Sequence, residues 1–350
     1  MVSRKSAGKT PARSEPVRAN GHENGEAAGL DLGTSTVVTA RRNGGGFRSA
    51  AELNAFIDLP PSRFTEQILA QNDIDYVREG RRIVVYGNGA AKFANMFNAE
   101  TRRPMRHGLV NATEPHAQKL LKVIVKKLLG KNSKGSLVCF SIPGAPLSAP
   151  TSLVYHEALM KQMLEGMGYE AKSINEGLAV VFSELEKENF SGIGISFGGG
   201  LTNVALAYLS VPVFAFAIEK GGDDIDEAVG KVTGETATRV RTIKEEGLDL
   251  NRRARSKIEG ALQIYYQDLI NTVVEGIEDA LARTERMPKL DSSLPVVLAG
   301  GSALPKGFKV KFERALMAQN LPIPLAGVRM GKEPLTATAR GALLAALYEN

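Results

Sequence analysis

The sequence predicts an α/β protein made of two related halves, and three observations carry that prediction. Strands alternate with helical segments along the chain. The pattern strand, glycine turn, strand occurs twice, over residues 30–40 and 193–209. The 350 residues suffice for about two domains, and an apolar fraction of 43% is enough to fill their cores.

Taken in order, residues 1–27 hold Arg4, Lys5, Lys9, Arg13 and Arg18 without an apolar stretch. Such a segment cannot bury a core and is expected to be a disordered basic tail, either a solvated extension or a weak electrostatic tether to a membrane surface or acidic partner. Residues 30–40 read as a hairpin because β-branched residues follow the glycine. Residues 83–86 (IVVY) are a short buried strand broken by Gly87 and Gly89. Residues 115–129 form a helix with Leu120, Leu121, Ile124 and Leu128 on one face and Lys119, Lys122 and Lys126 on another, a stripe expected to be solvated. Residues 136–142 are a strand ended by Pro143 and Gly144; 155–167 and 176–187 are helices. Residues 193–197 and 202–209 pair around Gly198, Gly199 and Gly200, and 213–218 is a further strand. Residues 224–241 and 255–283 are mainly helical, 295–299 is a strand followed by Gly300 and Gly301, and 337–348 is a final helix rich in small residues.

Composition removes several classes of function. One cysteine, Cys139, excludes a disulfide framework or multi-cysteine metal site, and four histidines argue against a His-rich centre. No apolar run reaches the roughly 18 residues of a membrane span, and the first residues carry no secretory signal, so a cytoplasmic protein is expected. The net charge of +6 is scattered without aromatic interleaving, so no specific nucleic-acid partner is predicted.

The glycine turns carry the chemistry. In Asp31-Leu32-Gly33-Thr34-Ser35-Thr36, glycine and hydroxyl residues expose backbone N–H groups that can nest an anion, and Asp31 at the strand end can hold a metal ion through water. In Ser196-Phe197-Gly198-Gly199-Gly200-Leu201-Thr202-Asn203, three glycines allow close approach of a phosphate to the backbone. The buried strand ending at Gly300-Gly301-Ser302 lets a flat ligand lie against the chain, or is simply a tight strand-to-helix turn. None of the three fits the phosphate-loop or dinucleotide fingerprints.

In this order the motifs resemble the actin, seventy-kilodalton chaperone and sugar-kinase superfamily, most of all bacterial actins of the MreB and MamK kind, over roughly residues 28–349. Besides the two hairpins, Gly87-Asn88-Gly89-Ala90-Ala91-Lys92 is similar to the shared "VG-x-x-A-K" segment, and Arg103-Pro104-Met105-Arg106-His107-Gly108-Leu109-Val110 to "R-P-L-x-D-G-V-I". Asn175-Glu176-Gly177-Leu178-Ala179 resembles "E-P-x-A-A", Gly221-Gly222-Asp223-Asp224-Ile225-Asp226 resembles "GG-x-x-x-D", and Arg241-Thr242-Ile243-Lys244-Glu245 resembles "R-x-I-K-E". The ending from Glu333-Pro334-Leu335 to Arg340-Gly341 is similar to "D-P-L-x-x-V-x-R-G".

The resemblance implies an actin-like, ribonuclease-H-like fold with a nucleotide cleft between halves and reduced small subdomains. The first half would span 28–189 with an insertion at about 48–82, and the second 190–330 with a short one at about 227–254. Residues 331–350 would return to the first half. It implies ATP or ADP with Mg2+ as cofactors and a head-to-tail homopolymer as the cytoskeletal assembly. Gly33, Thr34, Ser35, Gly198, Gly199, Gly200 and Thr202 would hold phosphates, and Asp31 would orient magnesium. Arg241, Lys244 and Glu245 would bracket the adenosine opposite Gly300, Gly301 and Ser302, and Glu176 would place the attacking water. A non-polymerising nucleotide-binding regulator or chaperone-like ATPase is the alternative.

Two departures qualify that picture. Ser196 and Asn203 stand where the family usually carries acids, so hydrolysis is expected to be slow or absent. Only about 28 residues separate Asp226 from Arg255, so the second small subdomain is expected to be short.

Overall fold

The computed structural model describes residues 27–97, 99–130, 135–147 and 153–348. The basic tail foreseen over residues 1–27 lies almost wholly outside them. The first half runs β1 (Ala28–Leu32), β2 (Thr36–Asn43), β3 (Gly46–Leu53), β4 (Phe56–Leu59), α1 (Arg63–Gln71), β5 (Tyr76–Glu79), β6 (Arg82–Tyr86), α2 (Asn88–Phe97), β7 (Met105–Arg106), β8 (Leu109–Val110), α3 (Ala117–Leu129), β9 (Leu137–Ile142), α4 (Val154–Glu165), β10 (Glu170–Asn175) and α5 (Glu176–Glu184). The second runs β11 (Gly192–Phe197), β12 (Thr202–Tyr208), β13 (Val211–Ile218), α6 (Gly222–Thr233), α7 (Ala237–Gly247), α8 (Lys257–Arg283), β14 (Leu294–Ala299), α9 (Phe308–Met317), β15 (Leu325–Met330) and α10 (Ala337–Tyr348).

Each half is built on a five-stranded sheet, and the two sheets have the same order: β3-β2-β1-β9-β10 and β13-β12-β11-β14-β15. In both, three antiparallel strands lead into two parallel ones; Leu30 pairs with Thr39 and Phe140, and Ser196 with Asn203 and Ala299. The inner parallel strands β9 and β14 are nearly continuous apolar runs because helices cover both faces. In the second half, α8 and α9 close one face, with Tyr266, Phe308 and Phe312 packed around Phe197 from β11.

Two helices exchange places between the halves. Helix α5 grows out of β10 of the first sheet and packs on β11 and β12 of the second; α10 grows out of β15 of the second and packs on β1, β2 and β9 of the first. Both are rich in small residues, and Gly341 of α10 touches the backbone of Ala179 in α5 so closely that a Cβ there would collide with it. Glu184, at the end of α5, accepts from Lys332 N–H at 3.0 Å and lies 3.6 Å from Arg340, tying the C-terminal segment to the crossing.

The small subdomain of the first half is a separate sheet, β4-β6-β5, with α1 and α2 beside it. It begins at Phe56, whereas the insertion foreseen from about residue 48 starts inside β3, an edge strand of the main sheet. In the second half, α6 and α7 pack together in the corresponding stretch, separated at Gly234. The stretch 224–241, expected to be mainly helical, is divided between these two helices.

Candidate functional site

The two glycine turns meet face to face between the halves. Gly33, Thr34 and Ser35 join β1 to β2, and Asn54 braces them: its N–H donates to Ser35 O at 2.8 Å and its Nδ2 to Gly33 O at 3.0 Å. Thr34 Oγ1 accepts from Gly108 N–H at 2.8 Å. The turn at Gly198, Gly199 and Gly200 is closed by the Gly198 N–H to Leu201 O, 2.9 Å, and seated on the start of α6. There the Gly222 and Asp223 N–H groups donate to Gly198 O and Gly199 O at 3.0 and 2.8 Å. The approach of the turns requires glycine: a Cβ on Gly200 would lie 2.5 Å from Thr34 Oγ1, and one on Gly199 would strike the Ser35 hydroxyl.

Behind the turns lies an acidic pair, Glu176 buried and Asp31 partly so. Asp31, on β1, accepts from Ser141 Oγ at 2.9 Å. Glu176 is the first residue of α5, whose N-terminus is capped by Asn175 Oδ1 accepting from Leu178 N–H. Asn203 Nδ2 donates to Glu176 Oε2 at 2.7 Å, and Asn203 Oδ1 accepts from Gly144 N–H at 2.8 Å. Burial raises the Asp31 carboxyl above its usual range; burial and then the charge of Asp31 raise that of Glu176. Ser196 is buried beside them, opposite Asn203 in the ladder.

In front, a carboxylate ties the halves. Asp223 accepts from Ser35 Oγ at 3.0 and 2.9 Å and from Arg103 Nη2 at 2.8 Å, while Arg103 Nη1 donates to Ser35 O at 3.2 Å. Burial opposes the Asp223 charge, but Arg103, Arg241 and Lys244 outweigh it and hold the carboxyl below its usual range. A cavity of about 400 Å³ opens here, lined by Thr34, Arg103, His107, Gly200, Asp223 and Arg241 among others.

The residues expected around an adenosine divide between two environments. Lys244 is buried and donates to Asp226 Oδ2 at 2.8 Å and Gly222 O at 2.9 Å. Ser302 donates to Gly198 O at 2.8 Å, so Lys244, Gly222 and Ser302 converge. Gly300, at φ +88°, and Gly301 form the turn that brings Ser302 there. Arg241 lies against Glu245 at 3.4 Å, and Glu245 is exposed. Thr202 Oγ1 donates to Lys220 O at 3.0 Å.

Arg103 and Asp223 sit inside family-like motifs, but the sequence alone points to no role for either. Their signals were an arginine before Pro104 and a carboxylate straight after Gly221-Gly222. Asn54 has no sequence signal at all.

The volactin family model matches residues 27–346. The chain belongs to the volactin family. It is an actin-like protein of the bacterial type. Cell shape-determining protein MreB of Escherichia coli strain K12 is 25% identical over 284 residues, 70% of this chain and 75% of that protein. Among solved structures, the MamK double helical filament superposes with a TM-score of 0.67 at 18% identity, covering 92% of this chain and 98% of the other. A non-polymerising MamK mutant bound to AMPPNP gives 0.56 at 18% identity, covering 93% and 99%. At that identity the two structures speak for the fold. This volactin-family chain has no described helix long and apolar enough to cross a membrane.

Proposed function

We propose that this protein binds ATP or ADP with Mg2+ between its halves and assembles head to tail into a cytoplasmic filament, hydrolysing ATP slowly or not at all. The observation that carries the reading is the face-to-face meeting of the two glycine turns, one from each sheet, in front of the acidic pair Asp31 and Glu176. Backbone N–H groups of such turns are a phosphate cradle, and the convergence of Lys244, Gly222 and Ser302 supplies a neighbouring wall for the nucleoside.

A magnesium ion fits the charge of the site. Burial and mutual repulsion disfavour charge on Asp31 and Glu176, and a dication beside them would favour their ionised forms. No group of three or more His, Cys, Asp or Glu side chains among the described residues is placed to chelate a metal. Asp31 would therefore hold the ion through water, with phosphate oxygens completing the shell. When bound, the ion neutralises phosphate charge. In this reading Glu176 orients the attacking water, and Asn203 Nδ2 donates to it. Ser196 adds no charge, which is why hydrolysis is assigned as slow.

Self-association follows the family: MreB is a cell shape-determining protein and the MamK neighbour is a double helical filament. An open filament arises when a head-to-tail contact does not close into a ring. Sedimentation and electron microscopy of the full chain with ATP and Mg2+ test the proposal, with polymer expected. Absence of polymer across nucleotides and salts, with binding retained, would instead make it a non-polymerising nucleotide-binding regulator or chaperone-like ATPase.

A further inference from the structure

The junction between the glycine turns is occupied by a carboxylate of the protein itself. Both Asp223 oxygens accept from the Ser35 hydroxyl, at 3.0 and 2.9 Å, and Oδ1 also accepts from the Arg103 guanidinium at 2.8 Å. A Cβ on Gly199 would stand 3.1 Å from Asp223 Oδ2, so the carboxylate reaches the second turn as well. A hydroxyl, a guanidinium and a glycine turn are the groups that recognise a phosphate oxygen. Ser35 and Arg103 come from the first half and Asp223 from the second, so this anion also bridges the cleft.

We propose that Asp223 is the internal occupant of the phosphate seat, a specificity-determining residue that a polyphosphate ligand must displace. The inference rests on the nucleotide reading above. Two anions cannot share the Ser35 hydroxyl and Arg103 without repulsion, which is strong where water is thin. Displacing Asp223 also removes the acceptor through which Arg103 reaches the second half, so filling the seat and loosening the clasp are one event. Asp223 thereby sets how much phosphate charge a ligand needs to enter and favours polyphosphates over single phosphates.

Calorimetric titration of the full chain with inorganic pyrophosphate, and separately with ATP and Mg2+, tests this on wild type, Asp223→Asn, Asp223→Ala and Asp223→Glu. Asp223→Asn keeps the shape and the backbone bond to Gly199 O, and a melting curve confirms that it folds. Pyrophosphate is expected to bind Asp223→Asn and Asp223→Ala at least tenfold more tightly than wild type, with Asp223→Glu close to wild type. A purely structural role would lower the melting temperature and weaken pyrophosphate binding. Equal or weaker binding in both neutral variants overturns the inference; if wild type still binds ATP with Mg2+, the nucleotide reading stands without it. If no variant binds either ligand, both fail.

Discussion

Asn203 Nδ2 donates to Glu176 Oε2 at 2.7 Å while Asn203 Oδ1 takes the Gly144 N–H at 2.8 Å. Only an amide does both. An aspartate would still accept from Gly144 but, at alkaline pH where Glu176 ionises, would face it with a like charge, in a place where Glu176 already contends with burial and Asp31. Asn203→Asp is therefore expected to cost the free protein about 1–3 kcal/mol at alkaline pH, read by denaturant unfolding, with the cost shrinking when Mg2+ and ATP are added.

Ser196→Asp probes the other missing acid. It stands beside Asn203 in the ladder and is buried, so its carboxylate would join Asp31 and Glu176. The expected outcome is faster phosphate release from ATP by about a hundredfold, read in single-turnover assays. An unchanged rate would show that the missing charge is not what limits hydrolysis.

The acidic pair gives stability a definite pH dependence. Glu176 ordinarily titrates near 4.5 and is raised to about 8 in the folded chain; Asp31 is raised from 3.8 to about 6. Across these windows the folded state binds more protons than the unfolded state, so stability falls as pH rises. The nucleotide-free protein is expected to melt several degrees lower at pH 8.5 than at pH 6. Glu176→Gln should flatten most of that slope. His156 adds the opposite trend further down: burial lowers its imidazole from 6.5 to about 4, and this stability is lost as pH falls through that interval.

Lys244 tests whether the buried pair with Asp226 is structural. Burial raises the Asp226 carboxyl to about 7 even with the lysine at 2.8 Å. Lys244→Met keeps the aliphatic stem but leaves that carboxyl without its cation, at a cost of about 3–5 kcal/mol at alkaline pH. Adding Asp226→Asn should recover part of it. Equal stability of Lys244→Met and wild type would free Lys244 for a ligand role alone.

How much of this was legible depends on what each feature rests on. The two hairpins read directly, because β-branched runs around glycines have few other solutions, and their likeness foreshadowed the shared strand order. Helix α9 also left a signal, since Phe308, Phe312 and Leu316 recur every four residues. Strand β15 left little, with Gly327 at φ +122° breaking its pattern, and β10 is a polar edge strand. Strand β6 ends at Tyr86, where Gly87 and Gly89 were expected to break it, but nothing in that pattern foretold that Gly89 lies inside α2. In the site, the motifs named Lys244 and Glu245 together, yet neighbours on one helix part ways: Lys244 turns to Asp226 and Glu245 to solvent. The Asp223 clasp joins residues from both halves, and no local pattern encodes a contact across so long a separation.

Gly200→Ala isolates the contact between the turns. The added methyl would meet Thr34 Oγ1 at 2.5 Å and Thr34 Cγ2 at 2.9 Å, distances that Cβ atoms do not sustain. Gly200 lies outside both sheets, so each half keeps its own core and the strain is relieved by parting the turns. Parting them stretches the bonds from Asp223 to Ser35 and Arg103. The variant is expected to lose about 1–3 kcal/mol and to show faster proteolysis in the cleft-lining segments around Arg103 and Asp223, with helices α8 and α9 still protected. Hydrogen exchange reads this directly. Protection unchanged near Arg103, with destabilisation spread evenly, would mean that the turns do not hold the halves together.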